Sequence, residues 1–145
     1  AGQAEQELSG LARRLVPALL QVKGVAVITA AKILGEIGDI RRFRSLAAFA
    51  RHNGTAPIPA SSGNHDSHRL NRAGNRQLNA ALHRIALVQA RYHDGARALL
   101  ARRAETARET RKASRRVLKR HLSDVVYRAL ATDAWRLDDP AQQTS

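Results

Sequence analysis

The sequence predicts an all-α fold on three grounds. Apolar residues recur at three- and four-residue spacing through most of the chain, no run of β-branched residues reads as a strand, and the periodic segments are separated by Pro, Gly, Asn and Ser. At 145 residues and 43% hydrophobic content, one compact domain with a buried core is expected, spanning 1–136, with 137–145 as a flexible tail.

The elements follow in order. A first helix is expected from about Glu5 to Leu20, with Leu8, Leu11, Leu15 and Leu19 on one face and Pro17 kinking or ending it. A second runs from about Val25 to Ile37, lined by Val27, Ala30, Ala31 and Leu34, and Gly38 supplies a left-handed stop. Asp39 then begins a turn. Ser45 caps a short helix that turns Leu46, Phe49 and Ala50 inward and ends at Asn53-Gly54. From Thr55 to Gly74 the chain is rich in Pro, Ser, Gly, Asn and His without an apolar period, which predicts a long functional loop. Asn75 caps the next helix, in which Leu78, Ala81, Leu82, Ile85 and Gln89 share a face as far as His93-Asp94-Gly95. Ala96 to Trp135 is helical in composition, with one break near Thr106 to Thr110. Phe43 and Trp135 are read as core anchors or caps, because aromatics make up only 3% of the chain. That scarcity also argues against a single-strand binder that works by base stacking.

Charge narrows the function. With 25 Lys plus Arg against 12 Asp plus Glu, the net charge is +13 and the pI about 11.6, which favours a polyanionic partner, nucleic acid first. Only four of the cations are Lys, and Arg forks match phosphate oxygens in a way ammonium groups do not. The absence of Cys removes disulfides and thiolate metal sites, so a cytoplasmic, nucleoid-associated setting is expected. No run of 18 apolar residues suggests a membrane partner, and residues 1–10 lack the pattern of a signal peptide. The lack of any Met suggests a fragment of a longer protein.

Three constellations carry chemistry. The first is Val22-Lys23-Gly24-Val25-Ala26, a glycine turn between apolar helices that resembles a helix-hairpin-helix element, whose backbone N–H groups grip phosphates without reading sequence. Lys23 and Lys32 add charge. The usual pattern has a second glycine where Ala26 stands and often a proline where Lys23 stands, and a plain helical corner shares the remaining features.

The second is the loop Thr55-Ala56-Pro57-Ile58-Pro59-Ala60-Ser61-Ser62-Gly63-Asn64, followed by a basic, glycine-broken segment from Arg69 to Arg76. A serine attacks phosphorus only when its proton is removed and the phosphate charge is neutralised, and Arg69, Arg72 and Arg76 are near in sequence to neutralise it. Ser and Gly are also what turns are made of, so these serines need context.

The third is Arg102 to Arg120, nine cations against Glu105 and Glu109. Arg108, Lys112, Arg115 and Lys119 form one row on a helical wheel, and Ser114, Val117, Leu118, His121 and Val125 form an inner row. Like charges four apart repel by roughly a few tenths of a kcal/mol per pair, which a polyanion would offset. A merely solvated face more often alternates signs. His65 and His68 beside Asp66 lack the further ligands of a metal site, so no metal is assigned to this chain.

Six ordered blocks then carry a resemblance: Gly24-Val25; Gly35-Glu36-Ile37-Gly38-Asp39-Ile40 with Arg42-Phe43; Leu46-Ala47-Ala48-Phe49-Ala50; Gly54-Thr55-Ala56-Pro57; Ser61-Ser62-Gly63; and Arg72-Ala73-Gly74-Asn75-Arg76-Gln77-Leu78. From about Leu19 to Leu87 the chain resembles the C-terminal domain of transposases of the insertion-sequence 110/116/902 family.

The resemblance implies a DNA recombinase in which a serine of the Ser-Ser-Gly motif becomes covalently joined to DNA. Its first serine, Ser61, matches the family's nucleophile, with Ser62 as the fallback. It also implies an N-terminal RuvC-like domain holding divalent metal such as Mg²⁺, a composite site across a homo-oligomer, and a structured guide (bridge) RNA as partner. The acids Glu36, Asp39, Asp66 and Asp94 are scattered, which agrees with the metal coming from elsewhere. The chain alone is therefore expected to bind nucleic acid and to fail at recombination. Two other readings stand beside this one: a non-catalytic architectural DNA-binding module, and an RNA-associated basic protein.

Overall fold

The computed structural model describes residues 2–57, 74–106, 110–139 and 141. Among the described residues there are seven α-helices and no strand: α1 Gln3–Leu15, α2 Pro17–Leu20, α3 Val27–Ile37, α4 Leu46–Asn53, α5 Arg76–Tyr92, α6 Asp94–Thr106 and α7 Arg111–Asp138, with a 3₁₀ turn at Ile40–Arg42.

The chain's own punctuation sets these limits. Pro17 cannot donate a backbone hydrogen bond, so the expected first helix divides: Val16 leaves helical geometry and Pro17 becomes the first residue of α2. Gly38 and Gly54 end α3 and α4 at φ of 71° and 80°, where a side chain would be strained. Ser45, Asn75 and Thr110 cap α4, α5 and α7, each side-chain oxygen accepting a backbone N–H three residues on at 3.0–3.1 Å. His93 performs the same service for α6, its Nδ1 accepting from the Ala96 N–H.

Helix α7 is the spine, ~42 Å long at the usual helical rise, and α1, α2, α4, α5, α6 and the 3₁₀ turn all pack against it. Its core row steps by four, Ser114, Leu118, Leu122, Val126 and Leu130. That spacing drifts around the helix, so the expected inner row is corrected at its far end: His121 is exposed and Leu122 takes the inward place. In α1 the inward place falls to Ala12, followed by Val16 just past the helix end, and Leu11 is left exposed. Leu19, Ile33, Phe49, Leu82 and Ile85 are fully buried with Leu118, Leu122 and Val126. Burying a side chain of this size contributes about 1.5–3 kcal/mol.

Phe43, Phe49 and Tyr127 make an aromatic cluster at centroid separations of 5.2 and 5.9 Å, and the Tyr127 hydroxyl donates to the Phe43 carbonyl. Phe43 is thus the anchor expected of it. Trp135 is not: it is 79% exposed, because it lies five residues after Leu130 and two after Asp133, off the buried row. Helix α7 also continues through Asp138, beyond the expected end of the domain at residue 136.

One polar group is indispensable to the packing of α2. Asp133, 2% exposed, accepts the N–H groups of Ala18 at 2.8 Å and Leu19 at 3.1 Å, capping α2 from the opposite end of the sequence. Removing the carboxylate with Asp133→Ala strands two backbone donors, and urea denaturation should record a loss of about 2–4 kcal/mol.

His52 stacks on Phe43 at 4.9 Å with its Nε2 buried and unpartnered. Burial first, then the Arg42 guanidinium, hold its pKa below the usual 6.5. The neutral imidazole is therefore favoured by folding, so its contribution is present above pH 6.5 and is lost as pH falls through 6.5 toward the depressed folded value. In His52→Phe this acid sensitivity should be smaller, read as a shallower fall of melting temperature between neutral pH and pH 5.

Candidate nucleic-acid interface

At the C-terminus of α4, Asn53 is completely buried and both polar atoms of its side-chain amide are hydrogen-bonded. Its Nδ2 donates to the Ser123 hydroxyl of α7 at 2.9 Å, and its Oδ1 accepts both the N–H and the hydroxyl of Thr55. Its main-chain carbonyl accepts from Asn79 Nδ2 of α5 at 3.0 Å. The chain leaving α4 is thereby tied to α5 and α7 before it reaches Pro57.

The returning chain is tied to the same place. Asn75 N–H donates to the His52 carbonyl at 2.6 Å, and a Cβ built on Gly74 would stand 2.9 Å from both the Cα and the N of Gly54. Two backbones meet there at a distance only glycine permits. Gly54 and Gly74 are thus held side by side, while Ser61, Ser62, His65, His68, Arg69 and Arg72 lie outside the described residues, as does Arg108.

Beside that junction α5 and α7 enclose a half-open cavity of about 820 Å³. Pro57, Gly54 and Gly74 border it from the loop ends. Arg76, Asn79 and His83 enter from α5, and Arg116, Lys119 and Arg120 from α7. Asn79 accepts from the Lys119 ammonium at 2.8 Å, so the amide that holds the loop base also aims the lysine. Burial, then Arg116, hold the Lys119 pKa below the ordinary lysine range. Burial, then Lys119 and Arg115, lower that of His83. Arg120 pairs with Asp124 on the next turn.

Of the residues singled out in the sequence, the structure brings Arg76 and Lys119 together here, while Lys112 and Arg115 lie exposed on the N-terminal turns of α7. Asn79, His83, Arg116 and Arg120 were missed. Arg116 and Arg120 belong to the noted cation cluster and sit one position beyond the row chosen from it, and Asn79 follows the Asn75 cap by one turn.

The hairpin is elsewhere. Gln89 Nε2 donates to the Lys23 carbonyl at 2.8 Å, and Gly24, at φ 95°, lies so close to α5 that a Cβ would come within 3.3 Å of the Ile85 carbonyl. Val25 is buried and its N–H donates to the Val22 carbonyl, whereas Lys23, Ala26 and Lys32 are exposed. No side chain caps α3, which leaves its first backbone N–H groups facing outward. At about 100° per residue, Ile85, Val88 and Gln89 occupy the face of α5 opposite Arg76, Ala80 and His83. The helix stands between hairpin and cavity.

Among the described residues no cluster of His, Cys, Asp or Glu has the makings of a metal site, and no helix is long and apolar enough to cross a membrane.

Gly74→Ala should lower stability by about 1–3 kcal/mol, since two main chains must part. Gly35→Ala, in open space on α3, should raise it by about 0.5–1 kcal/mol through helix propensity. Opposite signs in denaturant midpoints are the expected result.

The chain's matches to known proteins run through this architecture. Residues 16–101, more than half of the chain, match the model described as Transposase IS116/IS110/IS902 family. A curated relative, the insertion element IS110 uncharacterized 43.6 kDa protein of Streptomyces coelicolor, is 42% identical over 73 residues, covering 49% of this chain and 18% of its own length. The chain thus spans under a fifth of that protein along the match. No solved structure matches.

Proposed function

From the membership of this chain in the transposase IS116/IS110/IS902 family, we propose that it is the DNA-binding, nucleophile-bearing C-terminal domain of a DNA transposase. The observation that supports the reading is that Gly54 and Gly74, which flank the stretch carrying the Ser-Ser-Gly motif, meet at the rim of a cavity lined by Arg76, Arg116 and Lys119.

In this reading the Ser61 hydroxyl loses its proton to a base and its Oγ forms a bond to phosphorus of a DNA phosphodiester. The bond from phosphorus to one sugar oxygen breaks, and that oxygen leaves with a proton as a free strand end. Attack by another strand's hydroxyl on the same phosphorus releases the serine and completes the exchange. The chain's cations neutralise the phosphate oxygens as charge gathers on them, the part of the reaction that guanidinium and ammonium groups serve best. The described acids do not gather into a metal-binding set, so divalent metal belongs to the N-terminal RuvC-like domain in this proposal. The hairpin's uncapped N–H groups with Lys23 and Lys32 serve as a second, sequence-independent phosphate grip. A guide RNA and assembly into a homo-oligomer, in a cytoplasmic, nucleoid-associated setting, complete the proposal.

Trapping the full-length protein on DNA and mapping the adduct by mass spectrometry tests it. Ser61→Ala is expected to abolish the adduct while leaving DNA affinity within about twofold, the span of an ordinary surface substitution. An adduct mapped to Ser62 transfers the role to that residue, and one that survives replacement of both serines overturns the reading.

A further inference from the structure

Five basic side chains, Arg76, His83, Arg116, Lys119 and Arg120, line the cavity beside α5 and α7, and no acid does among the described residues. There, the only ion pair at its edge joins Arg120 to Asp124. An assembly of this kind is costly in an empty protein, because like charges held on packed helices cannot separate to relieve their repulsion. Burial first, and then neighbouring cations (Arg116 for Lys119, Lys119 and Arg115 for His83), lower the pKa values of these two groups.

We propose that the cavity seats the sugar-phosphate backbone of one DNA strand, with Lys119 and Arg116 contacting phosphate and Asn79 acting as the positioning residue for Lys119. The identity of the polyanion as DNA rests on the transposase reading; the cationic seat follows from the geometry.

Three features define the occupant. A volume of about 820 Å³ falls in the range of sites that take a ligand the size of one or two nucleotides and is too small for a duplex. The lining holds no Phe, Tyr or Trp among the described residues, so the large ring platforms that base stacking favours are absent there. The half-exposed amide of the lining, Asn79, has its nitrogen and its oxygen each engaged within the protein, donating to the Asn53 carbonyl and accepting from Lys119, and is thereby oriented away from a bidentate pair with a base edge. What is left to bind is phosphate and sugar, against an apolar wall of Ala56, Pro57, Ala80 and Val117. The seat positions a strand without reading it.

The test is fluorescence anisotropy of the full-length protein with a short labelled oligothymidylate, its oligouridylate counterpart and a mixed-sequence duplex, over a series of salt concentrations. Lys119→Met and Arg116→Gln should each weaken oligothymidylate binding by about tenfold, as expected for a charge-assisted hydrogen bond. Each should also reduce the salt slope by about 0.7, the increment for one single-strand phosphate contact. Duplex binding should change far less. Arg128→Gln, on an exposed turn further along the same helix, should leave both nearly unaltered, and melting curves show that each variant is folded. Arg116 is exposed and makes none of the described hydrogen bonds, so its variant keeps the test valid should Lys119→Met unfold.

Equal losses from Arg128→Gln and Lys119→Met would reduce the effect to general surface charge and overturn the seat. Losses confined to the duplex would do the same, and a larger effect on oligouridylate than on oligothymidylate would overturn the DNA assignment. The measurement involves no strand joining. An adduct that persists in a protein lacking both serines, with the Lys119→Met loss intact, would therefore sink the serine mechanism alone.

Discussion

Everything at the candidate site depends on one buried amide. Asn53 has no contact with water, and its side chain and carbonyl together engage Thr55, Asn79 and Ser123. Buried polar groups are tolerable only when they are hydrogen-bonded, and a network in which each of these polar atoms has a partner favours one arrangement of its members. The end of α4, the start of the long segment, the first turns of α5 and the middle of α7 are therefore fixed relative to one another. The close passage of Gly54 and Gly74 is a consequence of that fixation, as is the orientation of Lys119, whose partner Asn79 is a member of the same network.

The network also explains why the cations of α7 divide into two kinds. Lys112 and Arg115 lie where the helix projects into solvent, and water and salt screen them. One turn later Lys119 is half-buried, on the same side of the helix as Ser123, which lies in the core beneath α4. As that face of α7 descends into the protein, solvent is withdrawn from its charges and each becomes more responsive to an anion. The basic segment is thus graded along its length from a screened region to a desolvated one.

Much of the fold was legible because local chemistry and tertiary packing agree. Ser45 and Asn75 cap where a cap was read, Gly38 and Gly54 stop their helices, and Pro17 breaks α1. Two misplaced side chains share one cause. His121 and Trp135 were assigned by a wheel or by residue type, and a long helix whose core row advances by fours turns its buried face steadily away from any fixed wheel position. The site was legible in outline, since the loop, its flanking cations and Lys119 all announce themselves by composition. Its working parts were not. Asn53 and Asn79 look like ordinary helix-end polar residues, and their role arises from bonds to residues 70 and 40 positions away, which no local pattern encodes.

Helix α5 gives the arrangement its scale. One end is bound to the loop base through Asn79 and the Asn53 carbonyl, and the other to the hairpin through Gln89 and the Lys23 carbonyl. Ten residues of helix separate these anchors, ~15 Å along the axis, and the two features face opposite ways. A hydrogen-bonded helix does not stretch, so hairpin and cavity keep that offset in any state in which the domain is folded. A phosphate gripped at the α3 N-terminus therefore cannot also be the one presented beside Lys119. If both features engage nucleic acid, they hold different phosphates, well separated along a path that bends around α5 or belonging to separate strands. In the proposed transposase, that separation would let one part of the nucleic acid be held while another part is cut and rejoined.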